Sequence, residues 1–135
     1  MDYLRRGAIP EGLAGLSSEK VKMEQYFMDK RGYAGMCIGA DSPYPVQAGK
    51  FTITCSGVTD PNPSASPPTA GSYTLTAKGD AGTLVDGFTY TIDQTGKKVT
   101  TAIPNTVWPT AHTKAVDQVG GTPPFCWILK KDGSC

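Results

Sequence analysis

Four cysteines and one histidine carry most of the chemistry open to this 135-residue chain. Cys37, Cys55, Cys126 and Cys135 include no C-x-x-C pair, and His112 has no second histidine to complete a zinc set. Paired as disulfides, they place the chain in an oxidising compartment: periplasm, cell surface or outside the cell. Three pairings are open. The sequential one, Cys37–Cys55 with Cys126–Cys135, closes two short loops, each worth roughly 3 kcal/mol of chain entropy. His112 lies in TAHTK with no G-x-S-x-G or comparable nucleophile context, so it reads as a surface-loop histidine rather than one member of a triad. No glycine-rich phosphate loop is present, and DPNPS lacks EF-hand spacing. The expectation is a non-enzyme without metal or cofactor.

A second set of residues could bind rather than react. Lys97, Lys98, Lys114, Lys130 and Lys131, with Trp108 and Trp127 as stacking surfaces, would form a basic stripe if the segments carrying them lie side by side. The bland alternative is a solvated lysine rim around buried tryptophans. Charge favours the bland reading: 13 basic and 12 acidic residues leave a net +1, which argues against bulk nucleic acid as a partner.

The elements that must position these residues follow from periodicity. DYLRRGAIPEGLAGLSSEKVKMEQYFMDKRGYA (2–34) places Ile9, Leu13, Leu16, Met23 and Phe27 in steps of four, three, seven and four, which is one face of a helix interrupted by Lys20. Glu19, Lys22, Glu24 and Asp29 fall on the polar side. Pro10 predicts a start or kink, Gly12 and Gly15 weaken the first turns by roughly 1 kcal/mol each, and Gly32 predicts the stop. A helix of about 23 residues would be some 35 Å long.

Four runs then alternate apolar residues with threonine: FTITCS (51–56), SYTLTAK (72–78), GFTYTID (87–93) and the weaker KKVTTA (97–102). Period two with threonine outside predicts a half-buried antiparallel sheet. Asp93-Gln94-Thr95-Gly96 reads as a hairpin turn. DPNPSASPPTAG (60–71) is a Pro- and Ser-rich loop. Residues 103–135 read as irregular apart from a short buried strand, FCWIL (125–129), after which KKDGSC turns Cys135 back towards Cys126. With 16 Gly and 11 Pro the composition suits a loop-rich β protein of one domain, and no apolar run is long enough to span a membrane.

This order resembles the type IV pilins of Gram-negative bacteria, type IVa class, and among them the PilE-like minor pilins. Residues 2–27 look like the end of the spine helix, GFTYTIDQTGKK (87–98) like the sheet hairpin, and CWILKKDGSC (126–135) like the disulfide-bounded D-region. The resemblance implies an α+β fold, a long amphipathic helix on a four-stranded antiparallel sheet. Its parts would be the C-terminal half of the spine helix (1–33), an αβ-loop (34–50), the sheet (51–102) and the D-region (103–135). It implies a Cys126–Cys135 bridge, with Cys37–Cys55 as an extra clamp. Tyr3, Leu4 and Ile9 would stay exposed for neighbouring subunits, while Leu13, Leu16, Met23 and Phe27 pack on the sheet. The D-region lysines with Trp127 would form an exposed binding surface.

Met1 reads as an initiator on a trimmed chain, and the resemblance implies a preceding hydrophobic half-helix that inserts in the inner membrane before assembly into an extracellular pilus. It also implies methylation, other pilin subunits and the inner-membrane assembly machinery as partners, and roles in adhesion and twitching motility through a host surface. Two related functions share the pattern: a competence pilin that captures DNA, and a pseudopilin of a type II secretion system.

Overall fold

The computed structural model describes residues 2–30, 32–37, 42–59, 61, 64, 71–123 and 125–135. A single helix, α1 (Asp2–Lys30), opens the chain. It is followed by a one-turn helix, α2 (Ala34–Cys37), and by five strands: β1 (Val46–Ala48), β2 (Phe51–Thr59), β3 (Ser72–Gly79), β4 (Thr89–Asp93) and β5 (Lys98–Ala102). A third helix, α3 (Pro109–Val119), precedes the C-terminal segment. The strands form one antiparallel meander in the order β1-β2-β3-β4-β5. No helix among the described residues is long and apolar enough to cross a membrane.

The sheet is five-stranded rather than four-stranded. The added strand, β1, is three residues long and lies between Pro45 and Gly49, too short to show alternation. The 29 residues of α1 run straight through Pro10, which is exposed, so the helix does not begin there. Pro10 is the ninth residue of the helix, past the four N–H groups that have no intrahelical partner, so it costs one i to i−4 bond within the helix. The described helix runs to Lys30 and Gly32 is already non-helical, as its reading as the stop requires.

The helix stripe faces the sheet. Ile9, Leu16 and Met23 are fully buried, Leu13 nearly so, and Phe27 is half-buried. Leu4 stays 41% exposed, whereas Ile9, expected at the exposed end, is at 0%. The side chain of Tyr3 lies outside the described residues. The two glycines that weaken α1 locally are what let it approach: a Cβ at Gly12 would collide with the Phe51 ring, and one at Gly15 would lie 2.5 Å from Ala48 Cβ and 2.9 Å from Ile53 Cδ1.

Glu19 is not on the solvent face. It is 3% exposed and accepts from Lys22 Nζ at 3.0 Å. Positions 19 and 20 lie between Leu16 and Met23 on the stripe, so the sheet-facing side must accommodate a charged pair. Lys20 meets Glu24 at 3.6 Å, and Glu24 accepts from the Tyr73 hydroxyl at 2.8 Å. Glu19 Oε1 and the Tyr44 hydroxyl are both buried without a hydrogen-bond partner among the described residues. Burial, then the Glu24 carboxylate, pushes the Tyr73 phenol well above its ordinary pKa; burial and Glu19 do the same to Tyr44, and burial alone to Tyr90. Beyond this polar layer, Phe27 stacks on Tyr33 at 4.8 Å and Tyr33 leans on Tyr73 at 4.7 Å.

Both disulfides are present in the sequential pairing. Cys37–Cys55 fastens α2 to β2 with Cα atoms 5.3 Å apart, and Cys126–Cys135 closes the C-terminal loop with Cα atoms 6.2 Å apart. Most of the Pro- and Ser-rich loop 60–71 lies outside the described residues.

Candidate functional site

The residues with binding potential converge on the C-terminal segment, 125–135, and on the two elements beside it. The first is the β4–β5 hairpin. Its turn is organised by Asp93, whose Oδ1 accepts from the backbone N–H of Thr95 (2.9 Å) and Lys97 (3.1 Å) and from the Thr95 hydroxyl (2.6 Å), with Gly96 at φ 84°. This turn sends Lys97 and Lys98 towards the tail. Lys97 Nζ lies 4.0 Å from the centre of the Phe125 ring, and Lys98 Nζ 4.7 Å from that of Trp127. Trp127 is buried, and its indole N–H donates to the Thr91 carbonyl at 2.8 Å.

The second is α3, in a stretch that reads as irregular by pattern. Its signals are nonetheless in the sequence: Pro109 in the first turn, where a missing N–H costs nothing, and Gly120-Gly121 at the end. His112 lies on this helix rather than on a loop, half-buried, with Nδ1 2.7 Å from the Ile103 carbonyl oxygen. Trp108, at the helix entrance, is completely buried and meets Phe88 edge-on at 5.1 Å. It cannot serve as a stacking surface, and Trp127 retains only 8% exposure.

The segment 125–129 forms no strand. Its backbone bonds go to three buried side chains instead of a ladder. Gln118 Oε1 accepts from the N–H of Cys126 at 3.2 Å and of Thr100 at 2.9 Å. The Thr100 hydroxyl donates to the Cys126 carbonyl at 2.6 Å and accepts from Ile128 N–H at 2.8 Å. Tyr90 adds a bond from its hydroxyl to the Ile128 carbonyl at 2.8 Å. Neither Thr100 nor Gln118 was marked by pattern, because their role depends on α3 being in place.

Beyond Leu129 the chain turns through Lys130–Gly133, with Gly133 N–H on Lys130 O and Leu129 N–H on Ser134 O, both at 3.0 Å. Hydrogen bonds from Ser134, helped by the nearby charges of Lys114 and Lys130, hold the Asp132 carboxyl below the usual carboxylate range. Lys97 and Lys98 are thus gathered over the aromatic residues of the tail, and Lys114 and Lys130 around Asp132. A pocket of about 340 Å³ separates α3 from the closed loop, lined by Lys114, Asp117, Gln118, Pro123, Cys126 and Ser134 among others. The arrangement offers cations and hydrogen-bond donors on a braced platform, which suits binding.

No known protein family matches this chain, and neither a curated protein nor a solved structure is significantly similar to it.

Proposed function

We propose that this chain is the globular domain of a type IV pilin of the type IVa class, acting as a PilE-like minor subunit of a pilus. The observation that carries the reading is the joint arrangement of its two ends. A long helix lies on the inner face of an antiparallel meander, and a Cys126–Cys135 loop is stitched to the last strand. In this reading the partners are other pilin subunits and the inner-membrane assembly machinery. The protein passes from the inner membrane to the cell surface and supports pilus assembly, adhesion and twitching. The test is a strain lacking the gene, scored for surface fibres and twitching and complemented with the full-length protein. Restored fibres and motility support the reading; unchanged fibres and motility in the deletion strain overturn it.

A second reading, capture of DNA, is favoured by the hairpin lysines lying against the tail, although the buried tryptophans remove its stacking component. Its signature is affinity that falls steeply as salt rises.

A further inference from the structure

The outer face of the sheet has a regularity that neither reading uses. Three successive strands each carry Thr-x-Thr: Thr52-Ile53-Thr54, Thr74-Leu75-Thr76 and Thr89-Tyr90-Thr91. Their registers align them. Thr54 pairs with Thr76 and Thr76 with Thr91, forming one rank across the sheet; Thr52, Lys78 and Thr89 form the next, and Ser56, Thr74 and Asp93 the third. The side chains that the helices touch, Phe51 and Ile53 under α1 and Cys55 bonded to Cys37, all belong to the opposite face. The threonines of β3 and β4 are half-exposed and Thr54 is exposed. The hydroxyls of Thr54, Thr74, Thr76, Thr89 and Thr91 have no hydrogen-bond partner among the described residues, whereas the Thr52 hydroxyl is held by Gln47 and Asp80.

We propose that this face binds ice. Strands are spaced by about 4.8 Å and alternate residues along a strand by about 6.8 Å, so the unbonded hydroxyls and their methyl groups repeat in two dimensions on the scale of an ordered water lattice. The central rank carries no charge to impose a competing hydration shell. None of the nine residues in the three ranks is aromatic, which disfavours a crystalline polysaccharide, whose rings are commonly held by stacking on flat side chains. Adjacent strands rotate by about 20–25°, so the match holds between neighbouring strands and decays across the sheet. The expected activity is therefore slowed recrystallisation rather than a deep depression of the freezing point.

The test uses the disulfide-bonded chain in a thin-film ice recrystallisation assay, beside an inert globular protein of equal mass. The parent should slow grain growth severalfold. Thr76→Lys, which puts a charge in the central rank, should abolish the effect with unchanged thermal unfolding. Lys78→Thr, which completes the second rank at an exposed position, should strengthen it, and decides the matter if the first variant is misfolded. Grain growth equal to the inert control, or a folded Thr76→Lys variant as active as the parent, overturns the proposal. Retention on crystalline cellulose or chitin without any effect on ice also overturns it and assigns the face to carbohydrate.

Discussion

Gln118 and Thr100 are joined twice over, directly and through Cys126: one side-chain oxygen of Gln118 takes the Thr100 N–H, and the same oxygen takes the N–H of Cys126, whose carbonyl accepts the Thr100 hydroxyl. A helix, an edge strand and the disulfide-closed tail thus share a closed hydrogen-bond circuit. Gln118 is 5% exposed and Thr100 is fully buried, so water cannot easily replace either partner. Gln118→Leu keeps the packing volume but orphans two buried donors. At about 1–3 kcal/mol per unsatisfied group, the loss should reach roughly 2–6 kcal/mol by denaturant unfolding. A loss within error would show that the tail does not depend on this circuit.

The glycines of α1 separate propensity from packing. Gly7 is exposed with open space around its missing Cβ, so Gly7→Ala should stabilise by up to about 1 kcal/mol. Gly12→Ala presses on the Phe51 ring and should destabilise by about 1–3 kcal/mol despite the better helix former. Thermal melts of the two variants should move in opposite directions.

Alkaline titration should expose the phenols under α1. The folded-state pKa values of Tyr44, Tyr73 and Tyr90 are all raised above the ordinary 10.0. The unfolded chain therefore releases its phenolic protons first. Stability contributed by the neutral phenols is complete below pH 10 and falls as pH rises beyond it. Tyrosinate absorbance should appear together with the loss of helical circular dichroism. Ionisation of all the tyrosines in a fully folded protein would contradict this.

The two bridges should be separable. Cys37–Cys55 spans 18 residues and Cys126–Cys135 spans 9. Chain entropy assigns each about 3 kcal/mol, slightly more to the longer loop. Removing either as a Cys→Ser pair should lower the denaturation midpoint. Loss of the second should also release the tail from Gln118, seen as faster hydrogen exchange at Ile128 and Thr100. Equal exchange in the two mutants would argue against that link.

Much of the architecture was legible because it rests on alternation. The strands of the meander repeat every two residues, and the Asp93–Gly96 turn declares itself by residue type. The α1 stripe, with Lys20 on it, was equally plain, but Glu19 was misleading: it sits on the sheet side with Lys22 as its partner, while the neighbouring Glu24 is held by Tyr73 from a strand distant in sequence. Segment 125–129 has strand-like residues, but at the edge strand β5 beside it the Thr100 N–H is taken by Gln118 and its hydroxyl bonds the segment in place of a ladder. α3 was missed because its N-cap, Trp108, makes no side-chain capping bond, leaving only Pro109 and the glycines to mark it. The lysine–aromatic contacts at the tail follow from adjacency of the hairpin and the C-terminal segment. The burial of both tryptophans is the bland alternative that the near-neutral net charge favours.

The sheet ends differently on its two sides: β1 pairs only with Phe51–Ile53 of β2, so Thr54–Thr59 have a strand partner on the β3 side alone among the described residues. β1 offers three residues. On β5 the Thr100 N–H that would greet an incoming backbone is already taken by Gln118. Exposed strand edges are the usual route by which β proteins join into uncontrolled ribbons. Here one glutamine acts as a stopper at the seam. Two molecules that meet along β5 therefore do so through side chains rather than by continuing the sheet at Thr100.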